Sequence, residues 1–600
     1  MFRPDLRKSI GPTLLFAWLV FAGAVVFAEF EDKPFPPLYT DPILFEKALE
    51  RGNTEPVKMP VSGITVPHHL LVAHLTARGF GLVRNRHYDR IVLLCPDHFH
   101  RSKTAFSLAT RDFRTVLGPV ATDRDAARRL LENPLVSSDN LFSHEHGIQA
   151  LLPFVAHFWP QTKIVALAIR TGVKPSELDQ LAESLRPLLN AKTLLVQSTD
   201  FSHYLPQEVA KDCDQETLNV LALGDPGAVW QLKQPKHNDC LGALYLQTRL
   251  QKEVFQASPV VIENQNAQEY SPVRLDATTS YMNILYTSDS KIFLPGQCFF
   301  FGGDVFFGRN ATGWLQRPGA IAALRKRLQD FGCRDNLIAN LEGVLLDEIP
   351  AKTGFWQLPM LAASASVLLK ELGVVAVGLV NNHSMDFGPK AFASMARELE
   401  QAGVLSLVPG SCQDFGLFRL VALTDLDNNR LPTTEILTSA DLQLSNQKCA
   451  SQPFLVYIHW GREGQGCPEN RQKEIFNILA SQGVDLVIGA HPHCPGKMLG
   501  NLRTLMAYSL GNLYFDQWGN ETTGALLEVR FFRQGTFFAR LIPIGNLYMD
   551  LYKSNSRNTD QKQSSVNNGT RIVVPSGETD TEKLASDVHV LHQNSALTGH

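Results

Sequence analysis

Short apolar runs rich in β-branched residues recur along this chain, and each gives way to polar residues and then to a stretch with helical periodicity. Apolar runs that alternate with helical stretches are typical of a largely parallel α/β sheet. We therefore predict an α/β domain over residues 61–290. Its expected strands are Gly63–Val66, Arg90–Leu94, Lys163–Ile169, Thr193–Val196 and Tyr281–Tyr286.

The same pattern restarts after a polar break at residues 287–296. The restart predicts a second α/β domain over residues 296–550, which is no copy of the first because the polar motifs differ. A final pair of runs, Ala525–Phe531 and Phe538–Ile544, is predicted to be antiparallel. The other expected strands are Cys298–Gly302, Leu337–Asn340, Val374–Leu379, Phe454–Ile458, Asp485–Ile488 and Thr504–Ser509.

The first thirty residues differ from both domains. Three basic residues among the first eight precede an apolar run from Thr13 to Phe27, and a small residue, Ala28, follows. This order is typical of a signal peptide. The run is shorter than the roughly 20 residues of a full membrane span, so cleavage and anchoring both stay open. We expect residues 1–30 to direct export to the periplasm or to the outer face of the cytoplasmic membrane.

The remaining ends of the chain carry no domain pattern. Residues 31–60 are rich in proline and are predicted to be a linker. Residues 551–600 are polar with few aromatic side chains, which predicts a disordered tail.

Composition narrows the class of protein. The 600 residues carry a formal net charge of −3, whereas nucleic-acid-binding proteins normally have a basic excess, so we expect no nucleic-acid partner. The nine cysteines are scattered and contain no CxxC pair, which argues against a disulfide scaffold. Apart from the N-terminal segment, no stretch is long and apolar enough to span a membrane, so we expect membrane contact through that segment alone.

Residues that can bind metals follow the strand ends of the first domain. In open α/β sheets, ligands bind beyond the carboxyl ends of the strands, so these side chains are expected to line one crevice. Imidazole and thiolate together suit Fe, Cu or Zn, and three protein ligands with open positions indicate a catalytic type of site. The residues are His68, His98, His146, Asp200, His203 and Cys240.

The segments VPHHLL, LCPDHFH, SHEHGIQALLPF and QSTDFSHY, with the later Cys240, resemble the Memo family in order and spacing, including the AmmeMemoRadiSam system protein B type. That family is related in fold to class III extradiol dioxygenases of the LigB type. The resemblance implies a metal cleft without defining a reaction. It assigns one metal to His68, His98 and Cys240, and it places His146, Asp200 and His203 in the same cleft. The sequence departs from the family at Phe99, where a second histidine is common.

The second domain presents a carboxylate, another carboxylate, an Asn-His pair, a histidine and an HxH motif in that order at its expected strand ends. This is the ligand order of binuclear metallophosphatases, in which two metals clamp an attacking hydroxide and a phosphate oxygen. Carboxylates and an Asn oxygen suit Mn, and imidazoles extend the choice to Fe or Zn. Because Pro492 cannot continue a central strand, His491 and His493 are predicted to lie in a loop. The residues are Asp304, Glu342, Asn382, His383, His459, His491 and His493.

The segments GDVFFGR, NLEGVL, LVNNHSMDFG, IHWGREG, IGAHPH and SLGNLYFDQ closely resemble the CapA (PgsA-type) family, which is associated with capsule and poly-γ-glutamate production. The resemblance implies a calcineurin-like α/β/β/α sandwich. It makes His383 and Arg462 catalytic and places Glu463 on the substrate side. It assigns two metal ions to Asp304, Glu342, Asn382, His459, His491 and His493.

Together the two resemblances predict a cell-envelope protein in the synthesis of a capsule or poly-γ-glutamate-like polymer. Its second domain would carry a metal-dependent, hydrolase-like or phosphoesterase-like site for an anionic polymer or a phosphoryl or amide bond. Capsule-synthesis membrane proteins are possible partners. Two alternatives stay open. One is a redox or dioxygenase-like enzyme acting through the first domain, and the other is a non-catalytic polymer-binding or assembly factor.

Overall fold

The computed structural model describes residues 33–291, 296–426, 444, 452–517 and 523–551. These residues form two α/β domains in tandem, which confirms the predicted fold class. The predicted export segment and the predicted tail beyond residue 551 lie outside the described residues. Within the part of the chain that the structure describes, no helix is long and apolar enough to cross a membrane.

The first domain is built, in its described residues, on a nine-stranded sheet. The strands are β1 Gly63–Val66, β2 Arg90–Pro96, β3 Phe106–Leu108, β4 Phe113–Thr115, β5 Gly118–Val120, β6 Val136–Ser138, β7 Lys163–Ile169, β8 Thr193–Ser198, β9 Phe201–Leu205, β10 Ser258–Asn266 and β11 Thr278–Thr287. Their order is β10-β11-β1-β8-β2-β7-β3-β6, with β9 beside β11 and with β4 and β5 in a separate hairpin. The central strands β1, β8, β2 and β7 run parallel, so their carboxyl ends share one edge.

Helices cover both faces of this sheet. Along β2, Ile91, Leu93 and Cys95 pack on one face, whereas Val92 and Leu94 pack on the other, as expected for a strand buried on both sides. The helices are α1 Pro42–Arg51, α2 Ala73–Gly81, α3 Arg124–Leu130, α4 His146–Gln149, α5 Leu152–Phe158, α6 Pro175–Leu185, α7 Gln207–Leu223 and α8 Leu241–Leu250. Shorter helical turns are Leu70–Val72, Leu141–Ser143, Arg186–Leu188, Pro226–Gln231, Gln251–Phe255 and Ala267–Tyr270.

The prediction that residues 31–60 form a linker needs correction. Asp41 caps the N-terminus of α1 by accepting a hydrogen bond of 2.9 Å from the Ile43 N–H. Phe35 and Phe45 are fully buried in the core of the first domain, and Phe45 contacts Phe154 at a ring distance of 5.5 Å. The apolar side chains in this proline-rich stretch therefore make it part of the first domain.

The second domain is an α/β/β/α sandwich, as predicted. Its described residues form sheets of seven and six strands, ordered β17-β16-β13-β12-β25-β26 with β24 beside β12, and β18-β19-β20-β21-β23-β22. β14 and β15 form a separate pair, and β25 and β26 are antiparallel, as predicted. The strands are β12 Gln297–Val305, β13 Leu337–Leu341, β14 Val344–Leu346, β15 Pro359–Leu361, β16 Val374–Gly378, β17 Leu405–Leu407, β18 Cys412–Asp414, β19 Arg419–Thr424, β20 Phe454–His459, β21 Leu486–Ala490, β22 Met498–Gly500, β23 Leu505–Ala507, β24 Asn512–Tyr514, β25 Ala525–Phe531 and β26 Phe537–Pro543.

Three apolar layers hold the sandwich together. Phe301, Ile338, Leu455 and Ile488 belong to the layer between the two sheets. The first sheet packs on its outer face against α9 to α12, and the second packs against α13. These helices are α9 Arg309–Leu315, α10 Ala320–Asp330, α11 Ala362–Glu371, α12 Gly388–Gln401 and α13 Asn470–Ser481.

Helix α7 of the first domain contacts the edge of the second. The Gln215 side-chain amide donates to the Phe537 carbonyl at 3.0 Å and accepts from the Phe537 N–H at 2.9 Å. Asn219 donates to the Leu502 carbonyl at 2.8 Å. Phe538 completes an apolar cluster that consists mainly of first-domain residues. The amide of Gln215 thus pairs with an edge strand as a neighbouring strand would.

Candidate metal centres

Three histidines of the first domain meet at the carboxyl edge of the parallel strands. His68 follows β1, His98 follows β2, and His146 begins α4. The ring centroids of His98 and His146 lie 3.9 Å apart, and that of His68 lies 4.8 Å from His98 and 5.1 Å from His146. Each ring offers a nitrogen within 4.8 Å of the nitrogens of the other two. The structure therefore brings three predicted residues into one crevice.

Buried carboxylates surround these rings. The His98 Nδ1 lies 2.6 Å from Oε1 of Glu145, which is fully buried and also accepts from the Gly147 N–H at 2.9 Å. The His68 Nε2 lies 3.3 Å from Asp239 and 3.5 Å from Asp200. Glu145 thus fixes His98 through Nδ1 and leaves Nε2 toward the crevice, an arrangement common around metal-binding imidazoles.

The environment sets different charges on neighbouring rings. Burial lowers the pKa of His68 well below its usual range, so this ring is neutral. Burial also lowers the pKa of His98, but the carboxylates of Asp239 and Glu145 outweigh it and raise that pKa to about 10. Burial and the charge of His98 lower the pKa of His146 to about 4. A cation in the crevice would replace the proton of His98 as the partner of these carboxylates.

Cys240 and its neighbour Asp239 have different surroundings. The Cys240 side chain is buried among apolar residues of the core, and this burial raises the pKa of its thiol. The Asp239 carboxylate instead faces His68, and among the described residues it groups with His68 and Asp200 as donors within 4.8 Å of one another. No such set among the described residues contains the Cys240 sulfur, and Cys240 as a metal ligand stays a prediction.

The other predicted cleft residues also lie at this edge. The Asp200 Oδ1 accepts from the His68 N–H at 3.2 Å, and burial raises the pKa of Asp200 well above its usual range. His203 is largely buried, and its Nδ1 has no hydrogen-bond partner among the described residues. A buried ring nitrogen without a partner fits a cleft that holds a polar or metal ligand.

In the second domain, donor atoms from both sheets converge. The Oδ2 atom of Asp304, on β12, lies 3.3 Å from the His493 Nδ1. The same oxygen accepts a hydrogen bond of 3.0 Å from the His491 N–H. Gly303 allows its backbone to pass close to that of Gly511, because a Cβ at position 303 would lie 1.8 Å from the Gly511 carbonyl oxygen. Asp304, Glu342 and His493 each offer a donor within 4.8 Å of the others.

Glu342, His459 and His491 likewise each offer a donor atom within 4.8 Å of the other two, so Glu342 belongs to both sets. The His459 Nε2 lies 2.8 Å from the Asn382 Oδ1 and 3.9 Å from Glu342. All six residues that the resemblance assigned to metal binding therefore lie together, and every one except Asn382, which is partly exposed, is buried.

The HxH motif lies in a loop, as predicted. β21 extends to Ala490, two residues beyond the expected end, and His491 and His493 then adopt positive φ angles of 93° and 57°. Such angles are uncommon for residues with side chains and recur at functional sites. The loop directs both rings toward one cluster, with ring centroids 5.8 Å apart.

Two buried atoms of this cluster have no hydrogen-bond partner among the described residues: the Glu342 Oε2 and the His491 Nδ1. Burial raises the pKa of Glu342 to about 7, whereas burial and neighbouring imidazoles lower the pKa of His491 to about 4. Buried acceptors without a donor are costly, and a cation would satisfy both. The residues present therefore fit a metal site.

His383 forms a pair with Asp386. Its Nδ1 lies 3.0 Å from the Asp386 Oδ2, and its Nε2 lies 3.8 Å from the Glu342 Oε1. Burial lowers the pKa of His383, but the hydrogen bond that its ring donates to Asp386 and the negative charge of Glu342 outweigh burial, so the pKa is raised. His383 thus faces the cluster as an imidazole held by a carboxylate.

The two charged residues that follow His459, Arg462 and Glu463, lie in different surroundings. Glu463 offers an oxygen within 4.8 Å of donors on His491 and His493, which places it at the cluster. Arg462 instead lies 3.8 Å from Glu469, and its side chain is 70% exposed. The catalytic role of Arg462 stays a prediction.

Several residues at the two centres were not predicted as site residues. Asn340 donates to the Asp304 Oδ1 at 2.8 Å and lies 3.2 Å from the His459 Nδ1. The Asn512 Oδ1 lies 2.9 Å from the His493 Nδ1, and Glu145 and Asp239 hold the first-domain rings. Asn340 and Asn512 sit inside the NLEGVL and SLGNLYFDQ segments, so their position at strand ends was the available signal.

Comparison with known families finds one family match in each domain. Residues 44–252 match the family described as Memo-like protein. Residues 298–413 and 424–517 match the family described as Bacterial capsule synthesis protein PGA_cap. The chain therefore carries a Memo-like domain followed by a PGA_cap domain, as the two resemblances implied.

Individual relatives match one domain each. The PGA biosynthesis protein CapA of Bacillus subtilis (strain 168) is 24% identical over 41% of this chain and 70% of its own length. The Capsule biosynthesis protein CapA of Bacillus anthracis is 23% identical over 40% of this chain and 66% of its own length. The MEMO1 family protein MK0963 of Methanopyrus kandleri is 25% identical over 30% of this chain and 66% of its own length. The chain thus spans about two thirds of these relatives.

Proposed function

We propose that this chain is a cell-envelope protein of capsule polymer synthesis whose second domain is a metal-dependent hydrolase-like centre. One observation carries the proposal. Asp304 and Glu342 from one sheet and His459, His491 and His493 from the other bring their donor atoms into overlapping sets within 4.8 Å. The names of the capsule-synthesis relatives support a role in polymer synthesis. The carboxylate and imidazole donors support metal-dependent hydrolysis.

The donors suit two divalent ions of Mn, Fe or Zn. Asp304, Glu342, Asn382, His459, His491 and His493 would hold them. When bound, such ions polarise a phosphoryl or carbonyl oxygen and lower the pKa of bound water. Asn340 and Asn512 position the first carboxylate and the last imidazole through the hydrogen bonds described above.

The chain's own residues supply proton transfer. His383 is held by Asp386 through Nδ1, so its Nε2 is the atom that faces the cluster. Because its pKa is raised, this imidazole keeps a proton that it can donate to a leaving group. Glu463 adds a carboxylate beside His491 and His493 on the more exposed side.

The first domain provides a second metal cleft, for one ion of Fe, Cu or Zn. Three imidazoles, those of His68, His98 and His146, lie within 4.8 Å of one another. The His146 ring is partly exposed, so a substrate could reach an ion that these three residues hold. This geometry favours a redox or dioxygenase-like reaction as the second candidate activity of the chain.

Export and anchoring belong to the same proposal and rest on residues 1–30. A reporter fused to this segment should reach the outer side of the cytoplasmic membrane, and a cytosolic reporter would contradict the cell-envelope assignment.

Turnover of a small phosphodiester tests the hydrolase proposal. The full-length chain should hydrolyse bis(p-nitrophenyl) phosphate, lose the activity with a chelator, and lose about 100-fold or more in kcat with His383→Ala. Bound metal without turnover would contradict the enzyme and would favour the polymer-binding or assembly factor.

A further inference from the structure

A cavity of about 770 Å³ lies between the two domains. The first domain lines it with residues of α1, α2, β10 and the helical turn that follows β10, and the second domain lines it with residues at the start of β12 and the end of β25. None of the described residues that line the cavity belongs to either metal centre. Clefts that bind small molecules commonly have volumes of roughly 300–1,000 Å³ and often lie between domains.

Each domain contributes one arginine without a partner to this cavity. Arg51 is the last residue of α1, and Arg533 lies in the turn between β25 and β26. Both side chains are exposed. Within the part of the chain that the structure describes, neither guanidinium forms an ion pair or a side-chain hydrogen bond. Guanidinium groups that line one cavity from two domains favour an anionic ligand.

The end of α1 that carries Arg51 packs closely on α2. A Cβ at Gly52, the next residue, would lie 2.4 Å from the His74 carbonyl oxygen and 2.8 Å from the Ala77 Cβ. Glycine is therefore required for so close an approach of the two helices. This packing holds Arg51 on the same wall of the cavity as His74.

The turn that carries Arg533 is joined to the first domain. The Gly535 N–H donates to the Phe532 carbonyl at 2.9 Å, which closes a β-turn with Arg533 and Gln534 at its two central positions. The Gln534 side chain donates a hydrogen bond to the side-chain oxygen of Asn264, on β10 of the first domain. The backbone that carries Arg533 is thus fixed beside the first-domain wall.

The other charged residues that line the cavity, among those described, have partners within the protein. Arg78 forms an ion pair with Glu263. Glu269 accepts a hydrogen bond of 3.0 Å through Oε1 from the Asn266 N–H, which caps the helical turn after β10. Three arginines thus face two glutamates, so the charge of the described lining is positive on balance.

An aromatic ring with a fixed position also lines the cavity. The Tyr270 hydroxyl donates to the side-chain oxygen of Gln265 and lies 3.2 Å from the His74 Nε2. Burial and two neighbouring arginines lower the pKa of His74 to about 4, so its ring is neutral at physiological pH. Tyr270 therefore offers a ligand an apolar, planar surface beside the arginines.

We propose that this cavity binds a small organic phosphate, whose anionic part is held by Arg51 and Arg533 and whose apolar or planar part packs on Tyr270. A guanidinium can donate two parallel hydrogen bonds to phosphate oxygens, and a phosphate group presents three such oxygens, so it can bind arginines of both domains. The inference goes beyond the proposed function, because it involves neither metal centre. It also gives the tandem arrangement a role, since the ligand contacts both domains.

Isothermal titration calorimetry of the full-length chain tests the inference. The titrations contain a chelator, so that metal ions do not bind the phosphates. The probes are adenosine monophosphate, glucose phosphate and phenyl phosphate, and the comparison compounds are inorganic phosphate, adenosine and succinate. At least one organic phosphate should bind, and Arg51→Gln with Arg533→Gln should weaken its binding about tenfold or more. The matched control, Arg114→Gln with Arg397→Gln, changes one exposed arginine of each domain outside the cavity and should leave the affinity unchanged.

Three results would overturn the inference: no binding of any organic phosphate, equal binding by the double glutamine variant, or loss of binding in the His491→Ala, His493→Ala variant, which would place the ligand at the second metal centre. Succinate or adenosine that binds as tightly as the organic phosphates would contradict the choice of phosphate. Inorganic phosphate that binds as tightly would contradict the role of Tyr270. A melting curve that matches the unsubstituted chain shows that a loss of binding is not a loss of fold.

Discussion

The backbone N–H of His491 donates a hydrogen bond of 3.0 Å to Oδ2 of Asp304, although the two residues are 187 positions apart. Asp304 lies at the end of β12 in one sheet, and His491 follows β21 in the other. The bond therefore joins the carboxyl edges of the two sheets where the donor atoms converge. The packing of the two sheets thus brings these donors together.

The first prediction separates Asp239 from Cys240 as the ligand of the first domain. Asp239→Asn should weaken metal binding there about 10-fold or more, because it removes the carboxylate 3.3 Å from the His68 Nε2. Cys240→Ser should have a smaller effect, since the thiol packs in the apolar core. Both are measured by metal titration in a chain whose second centre is disabled by His491→Ala and His493→Ala.

A larger loss with Cys240→Ser than with Asp239→Asn would restore the ligand set that the Memo resemblance implied. Asp125→Asn, on the exposed side chain that pairs with Arg128, is the control for a change of one carboxylate.

The second prediction concerns the contact between the domains. Gln215→Ala removes both hydrogen bonds to the buried Phe537 backbone and should lower the free energy of unfolding by about 1–3 kcal/mol. Calorimetry should show the two domains melting further apart in temperature than in the unsubstituted chain. Gln180→Ala changes an exposed glutamine on α6 and should leave the curve unchanged. Identical curves for Gln215→Ala and the unsubstituted chain would mean that α7 does not couple the domains.

The third prediction is a pH dependence. Asp214 is fully buried on α7, where burial raises its pKa to about 7, and its Oδ1 accepts from the Ser202 hydroxyl at 2.6 Å. The folded chain therefore keeps this proton up to about pH 7, whereas an unfolded aspartate loses it near pH 4. Asp214 thus makes the folded state less stable as pH rises between these values, by about 1.4 kcal/mol per unit of pKa difference.

Asp214→Asn removes this titration. Thermal melting at about pH 8 should shift upward relative to the unsubstituted chain, and the difference should shrink toward pH 5, where Asp214 is already protonated when folded. An equal shift at both pH values would assign the effect to packing rather than to the proton.

Much of the fold could be predicted because buried strands leave a plain pattern. The bounds of β1, β7 and β25 are those expected from their apolar runs, and Pro492 placed the HxH motif in a loop. Some strand ends differ from the expected ones: β2 continues to Pro96, two residues past the end of its apolar run. A strand end depends on pairing with its neighbours, and a run of apolar residues does not reveal that pairing.

Other features depend on contacts that a linear pattern does not contain. Asp239 and Cys240 are adjacent just before α8, and only the backbone direction decides which one faces the crevice. Phe35 and Phe45 are isolated aromatic residues in a proline-rich stretch, yet both side chains are buried in the core. The pairing of Gln215 with Phe537 spans 322 positions and has no signature in either segment.

The metal content of the His491→Ala, His493→Ala double variant decides whether the second domain binds metal through its HxH motif. The full-length chain and the variant are purified identically, and bound metal is measured by elemental analysis per chain, with His87→Ala as a control on an imidazole that is 80% exposed. We expect the variant to lose the metal of the second domain, to keep that of the first, and to retain its melting transition, because the apolar layers hold the domain together. Unchanged metal content with the fold intact would contradict the proposed centre.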